Sequence, residues 1–263
     1  MLAIPTLMLG QIPYGNNSEV GKYVETEDAN IYYEVYGDGQ PLLLLHGSLY
    51  GYIDEYTRIL PTLADQFTVF AVALRGHGKS EVGDRDYSYQ LFAEDAMKVL
   101  EHESIDRTAV MGFSSGAITA VKIAANYPDK VTKVVSIAGV LAKKDANPGK
   151  KLTGQEFVDQ AKEFVERRKT LMPEPDRFIE FFDQLHVADV DSVWVSDEKA
   201  SHIKAPVLVI GGDRDAHFDV KGFARTYNMI PNASLLILPE SGHVDVLLNQ
   251  EVYTKYAIPF LEK

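Results

Sequence analysis

Cysteine is absent from the 263-residue chain, so disulfides, a thiolate nucleophile and thiolate-bound metal are all excluded. Covalent catalysis would have to rest on another side chain. Also missing is an apolar run of roughly 20 residues, the length that spans a bilayer as a helix, and no membrane span is expected. Positive charge is scarce: 26 Lys and Arg stand against 38 Asp and Glu, a formal net charge of -12. Charge of that sign repels phosphate backbones and anionic headgroups, which argues against nucleic acid or acidic lipid as a partner. Internal repeats and low-complexity tracts are lacking too. What is abundant is core-forming, with 46% hydrophobic residues and 14 Tyr and 12 Phe beside a single Trp. A chain of this length folds around one large core, with room for an insertion.

At the start, Met1 to Leu9 is apolar like the centre of a secretory signal, but no basic residue precedes it and Pro5 interrupts it. The expected location stays divided between export and the cytoplasm. Beyond it, Gly21 to Thr26 and Ile31 to Tyr36 flank the turn-like Glu27-Asp28-Ala29-Asn30 and read as a hairpin. Pro41 to Leu45 is a continuous apolar run ending at His46-Gly47, the pattern of a strand buried on both faces. Similar runs recur at Phe67 to Ala73, Thr108 to Gly112, Val131 to Ala138, Pro206 to Gly211 and Ser234 to Leu238.

Helical stretches separate these runs. Ser88 to His102 places Leu91, Phe92, Ala96, Val99 and Leu100 near one face, with Ser88 as N-cap. Strands buried on both faces alternating with such helices imply a mainly parallel sheet, an α/β fold. The alternation fails over Leu141 to Lys204, where a helical insertion is expected. There Thr153-Gly-Gln-Glu156 matches a capping box, Phe157, Ala161, Phe164 and Val165 follow at helical spacing, and a second helix begins near Pro175. The expected organisation is an N-terminal extension over 1–20, a core over 21–140 and 205–263, and a helical cap over 141–204.

Chemistry concentrates at strand ends. Gly112-Phe113-Ser114-Ser115-Gly116 lies between a predicted strand and a predicted helix, Ser115 to Tyr127, as a nucleophile elbow requires. Framing the motif on Ser115 would put Phe113 and Ala117 where close backbone approach needs glycine, so Ser114 is the expected nucleophile. A serine hydroxyl needs a histidine to take its proton and a carboxylate to orient that histidine. His186 and His202 fall inside the insertion, and His217 is two residues from an acid. His243, in Pro239-Glu-Ser-Gly-His243 after a predicted strand, is the expected base. Gly211-Gly-Asp213-Arg-Asp215 offers two acids. Asp213 reads as ending its strand or pairing with Arg214, whereas Asp215 stands further into the loop and is the expected partner of His243. The polar stretch through His217 and Asp219 reads as solvated loop, and no metal is expected.

Acyl transfer builds charge on a carbonyl oxygen, which fixed backbone N–H groups stabilise. Ser115 N–H is one expected donor; the other comes from the loop after His46-Gly47, from Ser48 or alternatively Leu49. His46 is read as structural, and Arg75-Gly-His-Gly-Lys-Ser80 as a shaped turn. Leu49 and Tyr50, with Phe182 and Trp194 of the insertion, are expected to line a substrate pocket. For Phe182 and Trp194 the competing reading is plain cap core.

These features together resemble the α/β-hydrolase superfamily, in the branch of cap-bearing esterases, cofactor-free haloperoxidases and C–C bond hydrolases. The resemblance runs from about Gly21 through Ile31 to Gly37, His46-Gly47, Arg75 to Ser80, the Ser114 elbow, Asp215 and Ser241-Gly-His243. It implies the triad Ser114, Asp215 and His243 and no cofactor, but does not identify the substrate, since one scaffold supports many reactions; the leading reading is a small neutral or apolar ester. A slow-turnover ligand receptor and perhydrolase or C–C hydrolase chemistry are the alternatives. Ile12 to Asn17 is similar to the start of exported mature hydrolases. Two departures stand out. Ser114 sets the chain apart from relatives with an aspartate nucleophile, and Ala73 replaces an aspartate common two residues before the arginine, so a local buried ion pair is expected to be missing.

Overall fold

The structure, a computed structural model, describes residues 12–147, 152–188 and 194–263. Its centre is explained by strands without alternation. Leu42, Leu43, Leu44 and Leu45 are all at most 1% exposed, because the strand that carries them is covered on both faces. Eight strands form one sheet: β1 Gly21–Glu25, β2 Asn30–Tyr36, β3 Gln40–Leu45, β4 Phe67–Val72, β5 Thr108–Phe113, β6 Val131–Ile137, β7 Val207–Gly212 and β8 Ala233–Leu238. They lie in the order β1-β2-β4-β3-β5-β6-β7-β8. The expected hairpin supplies the two antiparallel pairings, β1 with β2 and β2 with β4, and every other pairing is parallel. Met1 to Leu9 lies outside the described residues.

Ten helices are described: α1 Leu60–Ala64, α2 Tyr89–His102, α3 Ser115–Asn126, α4 Gly154–Gln160, α5 Lys162–Lys169, α6 Phe178–Ala188, α7 Asp197–Ser201, α8 Val220–Met229, α9 His243–Leu248 and α10 Ile258–Glu262. Ser88 caps α2 through its side chain, which accepts from Leu91 N, and the expected apolar face of α2 is buried. Two apolar clusters form the core, one holding Leu43 and Leu45, the other Leu42 and Leu44, so one strand feeds both faces.

Three expectations need correction. Ser234 to Leu238 is not doubly buried: β8 closes one edge of the sheet and Leu235 is 36% exposed. The helix started by the Thr153 capping box stops at Gln160, because Ala161 leaves helical geometry at φ -125, and α5 begins afresh. The buried ion pair thought lost with Ala73 is present, supplied by other chain segments. Arg75 donates from Nε and Nη2 to Asp95 at 2.9 Å each, and from Nη1 to Asp28 at 2.8 Å. Near Pro175, the chain makes a 3-10 turn over Pro175–Arg177 before α6. Between β6 and β7, α4, α5 and α6 carry a cluster of Phe157, Phe164, Phe178 and Phe182 rings, while α7 packs on α3 and α8.

Candidate active site

Ser114 sits where β5 becomes α3, with φ 53 and ψ -118, a backbone conformation disfavoured for any residue with a Cβ. Crowding accounts for the flanking glycines. A Cβ on Gly112 would lie 2.2 Å from Gly116 O, and one on Gly116 would lie 2.2 Å from Leu45 O. The strained turn lifts the hydroxyl off the sheet edge, and Ser114 Oγ lies 3.0 Å from His243 Nε2.

His243 opens α9, and Asp215 follows β7. The loops that carry them are zipped together: Asp213 N donates to Leu238 O, Arg214 N donates to Ser241 O, and Ser241 N donates to Asp213 Oδ1. Asp213 therefore orders the histidine loop and pairs with neither His243 nor Arg214. His243 Nδ1 donates to Asp215 Oδ2 at 2.8 Å, which leaves Nε2 as the acceptor facing Ser114. Asp215 Oδ1 accepts from the amides of His217 at 2.8 Å and Phe218 at 3.0 Å. Burial alone would raise the Asp215 carboxyl, but His243 and these two amides outweigh it and hold the group below the usual carboxylate range. The His217 ring stands 4.6 Å from that of His243, so His217 borders the site without replacing His243.

The loop after β3 supplies the facing wall. Leu49, at φ 65, donates its amide to His77 Nε2 at 3.0 Å, and Gly47 donates its amide to Glu55 Oε2 at 2.8 Å. Leu49 is thus withdrawn as an oxyanion donor, whereas the Ser48 amide has no protein acceptor among the described residues. Ser115, the first residue of α3, has one of the amides that a helix start leaves unpaired. Beneath this loop, His46 Nε2 accepts from Leu74 N at 2.8 Å, and His77 Nδ1 donates to Arg75 O at 3.0 Å. Burial drives His46 down to about 3 and His77 well below the ordinary imidazole value. Both rings are neutral supports, as read for His46. Glu55 keeps some surface exposure, yet its carboxyl is enclosed deeply enough that burial pushes it up to about 8.

A cavity of about 100 Å³ opens beside Ser48 and Ser115, walled by Leu49, Tyr89, Phe92, Phe182, Leu185 and His186. Of the residues expected at a substrate pocket, Leu49 and Phe182 line this cavity and Tyr50 and Trp194 do not. Tyr50 is 68% exposed and leans on Phe164, and Trp194 packs behind Tyr89 with ring centroids 5.1 Å apart. Sequence reasoning passed over Glu55, His77 and Arg168. His77 had a signal, since it stands between two glycines in the Arg75 to Ser80 turn; Glu55 and Arg168 sit in ordinary helical surroundings and had none.

A parallel-centred sheet with a strained serine at one strand end, and an acid and a histidine on the two neighbouring loops, defines a hydrolase-type α/β protein. Residues 40–178 match the family described as alpha/beta hydrolase fold, and the chain belongs to that family. It is 25% identical over 228 residues to a putative esterase/lipase of Haemophilus influenzae, covering 77% of this chain and 76% of the relative. To a putative non-heme chloroperoxidase of Synechocystis it is 27% identical over 250 residues, covering 81% and 88%. In fold it is similar to the enol-lactonase of Burkholderia xenovorans LB400, with TM-score 0.74, 20% identity, and coverage of 92% of this chain and 100% of that one. Among the described residues no helix is long and apolar enough to cross a membrane.

Proposed function

We propose that the chain is a serine hydrolase that cleaves a small carboxylic ester through an acyl-enzyme. The observation that carries the reading is the continuous relay from Asp215 Oδ2 through the His243 ring to Ser114 Oγ, at 2.8 and 3.0 Å. In this reading Ser114 Oγ attacks the ester carbonyl carbon as His243 Nε2 takes its proton. Asp215 fixes the tautomer of His243 and stabilises the imidazolium that forms. The amides of Ser48 and Ser115 take the negative charge on the carbonyl oxygen, each worth about 3 kcal/mol in a site prepared for it. The tetrahedral adduct then collapses, the alcohol leaves with the proton from His243, and water repeats the cycle on the acyl-enzyme. No step calls on a cofactor.

The apolar cavity beside the two amides is the proposed acyl pocket. At about 100 Å³ it is well below the roughly 300 Å³ at which drug-sized pockets begin, which favours a short acyl chain. The inserted helices α4, α5 and α6 act as its cap, with Phe182, Leu185 and His186 of α6 as the roof. A panel of aryl esters from acetyl to decanoyl tests this, with a vinylogous diketone included to report C–C hydrolysis. Multiple turnover that declines beyond short chains is expected; a preference for the diketone, or labelling by a phosphonate without turnover, points instead to the C–C hydrolase or receptor alternatives.

A further inference from the structure

Arg168, on α5, is a buried cation with too few partners. It is 5% exposed, and among the described residues its side chain makes one hydrogen bond, from Nη1 to Gly51 O at 3.1 Å. Its Nη2 is buried with no acceptor among the described residues. The guanidinium lies 5.2 Å from the Tyr52 ring, and among the described residues no carboxylate comes within ion-pair distance of it. Asp54 exerts the largest opposing charge effect and offsets only part of the cost of burial. Burying a charge without a bonded carboxylate costs several kcal/mol, so on stability grounds an apolar side chain of similar volume is preferred here. A residue kept against that preference is accounted for by what it holds.

What it holds is the loop from Gly47 to Tyr52. The rest of that loop is pinned from the core side, Gly47 N by Glu55 and Leu49 N by His77, leaving Ser48 N–H between two fixed amides. Gly51 O is fastened to the inserted helices by a charged donor, and Tyr50, leaning on Phe164 of α5, adds an apolar contact. We propose that Arg168 is a positioning residue that ties placement of the inserted helices to assembly of the oxyanion loop, acting through Gly51 to keep Ser48 N–H aimed at the reacting carbonyl. The proposal rests on the serine-hydrolase reading for its catalytic consequence, though not for the tether itself.

The test compares Arg168→Met, Arg168→Lys and wild type in three measurements: kcat and KM on a short aryl ester, amide hydrogen exchange over residues 47–52, and the thermal midpoint. Arg168→Met is expected to exchange at least tenfold faster across 47–52, to lose about 10²-fold in kcat with KM changed less than threefold, and to melt no lower than wild type. Arg168→Lys, which keeps a donor and a charge, recovers part of both the protection and the rate. Unchanged exchange over 47–52 in Arg168→Met overturns the tether, whether or not the protein hydrolyses esters. A KM effect with kcat retained, or a kcat loss that merely tracks a lower midpoint, overturns the positioning role. Absence of ester turnover in wild type, with the exchange result as expected, removes the serine-hydrolase reading and leaves the tether standing.

Discussion

The rings of His46 and His77 stand edge to face, 4.8 Å apart, and both are sealed from solvent beneath the loop that carries Ser48. Each supports a backbone amide as a neutral acceptor, so protonating either one breaks a hydrogen bond and buries a charge.

A pH dependence of stability follows. Burial lowers His46 to about 3 and His77 well below its ordinary value, whereas the unfolded chain takes up these protons near pH 6.5. As pH falls below that point the unfolded state binds more protons, and stability drops by about 1.4 kcal/mol per pH unit for each histidine. Glu55 acts in the opposite sense. Burial raises it to about 8, so the folded state retains a proton that the unfolded state releases, and stability falls as pH rises from about 4.3 towards 8. Two histidines outweigh one carboxyl on the acid side, which places the optimum set by these groups near pH 6.5. Urea denaturation from pH 5 to 8.5 checks this: Glu55→Gln should flatten the alkaline decline, and His77→Gln, which leaves one histidine opposed by one carboxyl, should nearly abolish the acid slope.

The two acids after β7 should separate cleanly. Asp215→Asn keeps the shape but loses the charge that stabilises the His243 imidazolium, and kcat should fall about 10⁴-fold. Among the described residues the Asp213 side chain holds only Ser241 N, so Asp213→Asn should cost less than a tenth of that in rate, with some loss of order in the 239–242 loop. Steady-state kinetics on both variants decide, and the reverse ranking would move the acid to Asp213.

Arg75 and Asp95 form a bidentate pair that is 0% and 4% exposed at the side chains. Removing Arg75 strands the buried Asp95, so Arg75→Met should cost about 3 to 5 kcal/mol, whereas Asp95→Leu, which leaves Arg75 its bond to Asp28, should cost less. Replacing both should recover much of the loss. A double-mutant cycle by urea denaturation measures the coupling; additive losses would mean that the pair is not linked.

Phe182 and Trp194 should part company as well. Phe182 faces the cavity, and Phe182→Ala should move the acyl optimum to longer chains with about 1 to 3 kcal/mol of discrimination. Trp194 lies behind Tyr89, so Trp194→Ala should leave the acyl profile in place and lower stability by about 3 to 5 kcal/mol. Acyl profiles and melting curves on the same two proteins distinguish these outcomes.

The sequence was most informative where chemistry depends on neighbours in the chain. Strained elbow and flanking glycines lie within five residues, so Ser114 was legible, as were the doubly buried strands, whose lack of alternation reports cover on both faces. It was least informative where partners are far apart. Arg75 finds Asp28 and Asp95 across 47 and 20 residues, which is why Ala73 misleadingly suggested a missing pair. Arg168 meets Gly51 across 117 residues, and no local pattern announces that contact. Trp194 and Tyr50 were misplaced for a related reason: hydrophobicity predicts burial or contact but not which side of Tyr89 or Phe164 a ring will occupy.

The most direct test of the account is to treat wild type and Ser114→Ala with a fluorophosphonate, locate the adduct by peptide mass spectrometry, and measure turnover of a short aryl ester on both proteins. Wild type should take up one label per chain, on Ser114, and Ser114→Ala should remain folded and unlabelled with kcat lower by about 10⁴- to 10⁶-fold. Label on Ser115, or an unlabelled wild type whose ester turnover survives in Ser114→Ala, would contradict it.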